Sequence, residues 1–70
     1  MTIETYYNFV KIIECGNILA ASQELMIAQP ALSTQLKNLE NNLGVRLVER
    51  GAKKISLTPA GEIFYKKAQA

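Results

Sequence analysis

The sequence has 70 residues, of which 49% are hydrophobic, a formal net charge of +2 at pH 7 and a mean hydropathy of +0.03. A chain of this length forms one small domain, so its apolar faces must all contribute to the core. No apolar run approaches the roughly 20 residues that span a bilayer, and the first five residues lack the basic and apolar segments of a secretory signal, so neither is expected.

The single cysteine, Cys15, and the absence of histidine restrict the chemistry that the chain can perform. Cys15 can form no internal disulfide and has no neighbours at metal-ligand spacing, which favours a reduced, cytoplasmic setting without a metal. We interpret it as a passive thiol, buried or half-buried beside Gly16. Because there is also no glycine-rich phosphate loop, general acid–base and nucleophilic catalysis lack their usual groups. We therefore expect no enzyme, no catalytic residue and no cofactor.

Two helices are predicted in the first 25 residues. The first runs from about Ile3 to Cys15 and ends at Gly16, and Asn17 supplies a cap for a short second helix. The apolar positions at helical spacing are Tyr6, Phe9, Val10 and Ile13 in the first helix and Ile18, Ala21 and Leu25 in the second. A third helix then opens near Gln29-Pro30 after a short connection, which is the layout of a helix-turn-helix.

The third helix is predicted from the stretch between Ile27 and Glu40, with Gly44 closing it. Its apolar side is one leucine stripe, formed by Leu32, Leu36, Leu39 and Leu43. The opposite side carries Pro30, Thr34, Lys37 and Asn41, flanked by Ser33 and Asn38. These short polar groups are suited to approach base edges in a major groove, although an ordinary solvated helix remains an alternative.

The pattern changes after residue 44. Apolar and polar residues alternate in two segments, 47–50 and Ile55–Leu57, which predicts two half-buried strands. Residues 51–54 between them are predicted to form the tip of a hairpin. Thr58-Pro59 then starts a fourth helix, whose apolar side is formed by Ala60, Ile63, Phe64 and Ala68.

Charge is distributed unevenly between the two parts of the chain. Residues 1–43 hold two lysines and four glutamates, a net charge of −2, whereas residues 44–70 hold six basic and two acidic residues, a net charge of +4. The basic part is where phosphate contacts are expected.

Over nearly its whole length the sequence resembles the DNA-binding domain of LysR-type transcriptional regulators. The matching positions of the three helices are Phe9-Val10, Glu14, Gly16, Ala21, Leu25, Gln29-Pro-Ala-Leu-Ser33, Gln35, Leu39-Glu40 and Leu43-Gly44. Those of the following region are Val45-Arg46-Leu47, Arg50, Leu57-Thr58 and Ala60-Gly61. Each piece is common in proteins, but their joint order and spacing is specific.

The resemblance implies a mainly α fold with a small two-stranded β wing, a winged helix-turn-helix that binds double-stranded DNA as a dimer. It implies that the third helix enters the major groove and that the wing reaches toward the minor groove. The DNA-binding residues expected from the resemblance and the charge pattern together are Gln29, Pro30, Ser33, Thr34, Lys37, Arg50, Lys53 and Lys54. For Arg50 both a phosphate contact and a role in holding the wing together stay open, and Lys37 is as well explained as solvated surface.

The resemblance also divides the chain. Residues 1–58 would form the DNA-binding domain and residues 59–70 the start of a linker helix that pairs two subunits, through Ala60, Ile63, Phe64 and Lys67. In the family this helix leads to an effector domain, absent from these 70 residues, which would bind any small-molecule inducer. The chain is thus expected to be part of a longer regulator with no membrane partner.

Four positions depart from the family pattern. Leu19 and Ala28 stand where the family prefers a hydroxyl that can cap free amides, Val48 replaces the usual Phe, and Thr34 stands where many members have Arg or Lys. We interpret them as marks of a variant with its own operator preference. A small helical protein-interaction module remains the alternative, although it explains neither the basic wing nor the polar face of the third helix.

Overall fold

The structure is a computed structural model that describes residues 3–50 and 54–69. Its elements are α1 (Ile3–Cys15), α2 (Ile18–Leu25), α3 (Gln29–Leu43), β1 (Val48–Arg50), β2 (Ile55–Leu57) and α4 (Pro59–Gln69). The mainly α fold with a two-stranded sheet is therefore confirmed, as are the bounds of α1.

The first two helices are separated by two residues that each have a local reason to be there. Gly16 has a φ of +85°, a left-handed conformation that a glycine adopts without a Cβ clash. Asn17 is the N-cap of α2, because its side-chain oxygen accepts a hydrogen bond from the amide of Ala20 at 2.7 Å. This cap corrects one expectation: Leu19 lies inside α2, where the capping position is already filled.

The connection from α2 to α3 has the length that the sequence predicts, with Met26, Ile27 and Ala28 between the two helices. Met26 ends α2 in a left-handed conformation with a φ of 59°, and the amide of Ile27 donates back to Ser22 O at 2.9 Å. Ile27 therefore lies in the turn after α2, and α3 starts at Gln29, which confirms the predicted opening at Gln29-Pro30. Its N-cap is Ala28, whose side chain makes no capping hydrogen bond.

The core lies where α1, α2 and α3 meet the base of the wing. Among the described residues, its buried apolar side chains are Phe9, Ile12, Ile18, Ala21, Leu32, Leu36, Leu39, Leu47, Val48 and Ile55. Leu43, at the end of the predicted leucine stripe, is only half-buried. One buried polar pair crosses the core, because Asn8 Nδ2 donates to Gln35 Oε1 at 2.8 Å. This bond fixes the rotation of α3 against α1.

The wing is an antiparallel pair in which Val48 faces Leu57 and Arg50 faces Ile55. The predicted alternation fails at its start, since Leu47 and Val48 are both buried. The reason is that Leu47 precedes β1, so that its side chain does not follow the pleat of the strand. Residues 51–53 of the predicted tip lie outside the described residues.

Short backbone contacts fasten the wing to its neighbours. The amide of Ile55 donates to Gly16 O at 2.8 Å, and the amide of Thr58 donates to Leu47 O at 3.1 Å. The Thr58 hydroxyl donates to Arg46 O at 2.6 Å and accepts from the amide of Gly61 at 3.0 Å, which confirms its predicted role as the cap of α4.

Gly61 lies in α4 directly against the base of the wing. A Cβ added there would stand 1.9 Å from Leu47 O and 2.8 Å from Leu47 C. Both atoms belong to the backbone, so the contact cannot be relieved by turning a side chain. The first turn of α4 therefore packs against the wing at a distance that only glycine permits.

Replacing Gly61 with alanine is expected to destabilise the protein. In an open helix Gly→Ala stabilises by up to about 1 kcal/mol, whereas here the overlap with Leu47 O forces a backbone shift that costs about 1–3 kcal/mol. Urea denaturation followed by circular dichroism measures the difference. Gly44→Ala is the control for backbone strain without a steric clash. Its φ of +72° is strained for alanine, but no atom lies within 4 Å of the added Cβ. A Gly61→Ala variant as stable as the unmodified protein would contradict the close contact.

Ala28→Ser is expected to stabilise the start of α3. A serine at this N-cap can accept a hydrogen bond from the amide of Ala31, and such caps contribute about 0.5–2 kcal/mol to the free energy of unfolding. Leu19→Ser is the matched control, since Asn17 already caps α2 and no gain is expected there. Chemical denaturation of both variants checks the prediction, and equal gains at the two positions would refute it.

Candidate nucleic-acid interface

A cleft of about 690 Å³ separates the C-terminal half of α3 from the segment that leads into the wing. Its lining residues are Ser33, Lys37, Glu40, Asn41, Gly44, Val45, Arg46 and Arg50. Three of them were predicted to bind DNA: Ser33, Lys37 and Arg50. The fold thus brings part of the predicted site together from α3 and β1, which are joined by only a short loop.

Glu40 holds the far side of this cleft in place. Its Oε2 accepts hydrogen bonds from the amide of Leu47 at 2.7 Å and from the amide of Val48 at 3.2 Å. A carboxylate that accepts two amides forms strong, charge-assisted bonds. The sequence analysis predicts no function for Glu40. Its match to the Leu39-Glu40 pair of the family pattern is the feature that could have indicated one.

Arg50 connects the wing to α3 through a side-chain hydrogen bond. Its Nη2 donates to Ser33 Oγ at 3.2 Å. The exposed guanidinium still has donors that face solvent, so holding the wing together and contacting a phosphate are compatible roles. Of the two alternatives that the sequence left open, the bond to Ser33 supports a role in holding the wing to α3, and the phosphate contact stays a prediction.

Positive charge collects around the cleft. Lys37, Arg46 and Arg50 line it and are exposed, and Lys54 is exposed at the start of β2. The one carboxylate in the lining belongs to Glu40 and is already engaged with two amides. This surface can therefore bind an anion without an opposing free carboxylate.

The remaining predicted contacts lie around α3 or outside the described residues. Gln29 and Pro30 are exposed at the first turn of α3. Thr34 is exposed on the other flank, in a second depression of about 290 Å³ that also includes Asn38 and Asn42. This flank is uncharged, so α3 has a basic side next to the wing and a neutral side. Lys53 falls among the residues that are not described.

The four predicted dimerisation residues do not share one environment. Ile63 is 62% exposed, and Lys67 is exposed beside it on α4. Ala60 is half-buried. Phe64 packs inward, with its ring centroid 5.2 Å from that of Tyr6 and 5.3 Å from that of Phe9.

Cys15 belongs to a small polar cluster between α1 and α2. Glu24 accepts hydrogen bonds from Cys15 Sγ and from Lys11 Nζ, both at 3.2 Å. These bonds, first the one from Cys15 and then the one from Lys11, lower the pKa of Glu24, and the same contact raises the pKa of the Cys15 thiol. A thiol with a raised pKa is a poor nucleophile at neutral pH, in keeping with its interpretation as passive.

The described residues lack the features of two other classes of protein. No group of three or more His, Cys, Asp or Glu side chains in this part of the chain could hold a metal ion. No helix within residues 3–50 and 54–69 has the length and apolar character needed to cross a membrane.

Comparisons with known proteins give one consistent result. A family model described as "Bacterial regulatory helix-turn-helix protein, lysR family" matches residues 3–62. The HTH-type transcriptional regulator BenM of Acinetobacter baylyi is 45% identical over 60 residues, which are 86% of this chain and 20% of BenM. The regulator TfdS of Cupriavidus pinatubonensis is 46% identical over 61 residues, 87% of this chain and 21% of TfdS. The chain thus spans about a fifth of the length of these relatives.

Solved structures agree with the sequence matches. A crystal structure of a BenM_DBD/catB site 1 DNA complex superimposes with a TM-score of 0.93 at 40% identity, covering 99% of this chain and 74% of that chain. A crystal structure of a CbnR_DBD–DNA complex gives a TM-score of 0.92 at 38% identity, covering 99% and 79% of the two chains. The family match over most of the sequence, together with the fold, shows that the chain belongs to the LysR family of bacterial regulatory helix-turn-helix proteins.

Proposed function

We propose that this chain binds double-stranded DNA sequence-specifically, as the DNA-binding domain of a bacterial transcriptional regulator. The observation that carries the proposal is the exposed polar face of α3 beside a cleft whose three cations come from α3, the connecting loop and β1. The DNA complexes formed by the similar BenM and CbnR domains support the same assignment. The proposed role is binding rather than catalysis.

In this proposal α3 enters the major groove. A major groove about 12 Å wide admits one α-helix, and α3 is anchored from behind by the buried Leu32, Leu36 and Leu39. Its exposed positions then face the DNA. We assign base and register contacts to Gln29, Pro30, Ser33 and Thr34, whose groups are compact and uncharged.

Phosphate contacts are assigned to the cations that surround α3. Lys37, Arg46 and Arg50 border the cleft, where a backbone phosphate beside the major groove can be neutralised. Lys54, and Lys53 beside it in sequence, are assigned to the wing, which lies toward the minor groove. Because cations neutralise phosphates whatever the base sequence, these residues supply affinity more than specificity.

For the longer protein we propose the domain order of the family. Residues 1–58 form the DNA-binding domain, residues 59–70 begin a linker helix, and an effector domain that binds a small inducer follows. Two copies pair through α4, with Ile63, Lys67 and Ala60 at the contact. Phe64 contributes from beneath, since it supports α4 against α1. Such a regulator works on chromosomal DNA in the cytoplasm.

Removing a wing or α3 cation is expected to weaken binding to all duplexes and to reduce its salt dependence. For Lys54→Gln and for Lys37→Gln, the slope of log K against log salt should flatten by about 1 each, because one fewer counterion is released. Fluorescence anisotropy with a random-sequence duplex at several salt concentrations measures this. Lys66→Gln, an exposed lysine of α4, is the charge-matched control and should leave the slope unchanged.

Two results of that experiment would contradict the proposal. Salt-independent binding would mean that phosphates are not the ligand. If the chain binds no duplex even at low salt, the fold instead serves as a helical protein-interaction module.

Ile63→Glu is expected to disrupt pairing through α4. The side chain is 62% exposed in one copy, and a glutamate buried without a partner at an interface should raise the dimer dissociation constant at least about tenfold. Sedimentation equilibrium measures the constant. Met26→Glu is the control, since Met26 is an apolar side chain that is 93% exposed in the turn before α3. A dimer insensitive to Ile63→Glu would place the contact elsewhere.

A further inference from the structure

The bond between Arg50 and Ser33 limits what the Ser33 hydroxyl can do. An arginine side chain has only donors, so at 3.2 Å the Ser33 oxygen must be the acceptor. The hydroxyl has one proton, and that proton cannot point at Arg50. It remains to be donated to another group.

Two other hydroxyls of the described residues donate their proton inside the protein. Ser22 Oγ donates to Leu19 O at 2.7 Å, and Thr58 Oγ1 donates to Arg46 O at 2.6 Å. For Ser33, by contrast, the described part of the chain shows an acceptor role toward Arg50 and no protein group that takes its proton. Ser33 is half-buried and lines the cleft beside α3. Its proton is therefore available to a ligand in that cleft.

The position of Arg50 is itself determined by the fold. Arg50 pairs with Ile55 in the wing, and Ile55 donates to Gly16 O at 2.8 Å. The carboxylate of Glu40 holds the amides of Leu47 and Val48, which lead into the same strand. The guanidinium of Arg50 thus reaches Ser33 from a strand whose start is held by Glu40 and whose partner strand is held by Gly16 O.

We propose that Arg50 is a positioning residue that makes Ser33 a hydrogen-bond donor, so that Ser33 selects an acceptor on the DNA. This inference rests on the proposed DNA binding. In the major groove the acceptors are purine N7, guanine O6 and thymine O4, and a phosphate oxygen has the same chemistry. The amino groups of cytosine and adenine are donors, so they cannot take the Ser33 proton.

The test uses a duplex selected for binding by the full chain from a randomised pool. One acceptor is then removed at a time, with 7-deazapurines for N7, 2-aminopurine for guanine O6, 5-methyl-2-pyrimidinone for thymine O4 and methylphosphonates for phosphate oxygens. The unmodified protein should lose about fivefold to tenfold in affinity at one modified position, the cost of one hydrogen bond. A base position or a methylphosphonate position identifies which source supplies the acceptor.

Three variants connect that position to the two residues. Ser33→Ala should be insensitive to the modification that the unmodified protein detects. Arg50→Met should reduce its sensitivity to less than about twofold, because without a donor beside it the Ser33 hydroxyl is free to turn its proton elsewhere. Arg46→Gln removes the same charge from the same cleft and should flatten the salt slope equally, by about 1, while keeping the full sensitivity.

Each contrary result has one meaning. Ser33→Ala with undiminished sensitivity at every position would refute Ser33 as the donor. Arg50→Met with the full sensitivity would refute the positioning role, even if its affinity falls through loss of charge. If Arg46→Gln also loses sensitivity to the modified position, the loss is an effect of charge alone, and the proposal is overturned. Failure of the unmodified protein to bind any duplex would refute the proposed function itself.

Discussion

The attachment of the wing to α3 depends on the carboxylate of Glu40. This carboxylate lies outside the leucine stripe of α3. It accepts hydrogen bonds from the backbone amides of Leu47 and Val48, at 2.7 and 3.2 Å, where the chain enters β1. Without the carboxylate, these two amides would lack a hydrogen-bond acceptor next to the buried side chains of Leu47 and Val48. An unsatisfied buried donor destabilises the fold. The cleft, the register of β1 and the reach of Arg50 all follow from that contact, because each needs the first residues of the wing to lie against α3.

Much of the helical fold could be predicted from the sequence because its signals are local. Helical spacing of apolar residues and Gly16 are enough to bound α1, and Thr58-Pro59 is enough to start α4. The opening of α3 at Gln29-Pro30 was predicted for an equally local reason, since proline is favoured in the first turn of a helix. The alternation assumed for the first strand failed because Leu47 lies in a loop, where the period of two does not hold.

The candidate site was less accessible to the same reasoning. Ser33, Lys37 and Arg50 could be named from exposure and resemblance, but the bond from Arg50 to Ser33 joins residues 17 positions apart, in a helix and a strand. The role of Glu40 needs the backbone path of a loop, which no periodicity encodes. Asn8 looked unremarkable in α1, and its bond to Gln35 appears only when two helices are packed face to face.

The contact at Gly61 has a mechanical consequence. Because the first turn of α4 lies directly against the Leu47 carbonyl, the start of α4 and the base of the wing are packed too closely for a hinge between them. In the proposed dimer paired through α4, a change in the crossing angle of the two α4 helices would therefore rotate each DNA-binding domain as a rigid body. The spacing between the two half-sites that such a dimer spans would then be governed from the helix pair outward, rather than by flexing inside either domain.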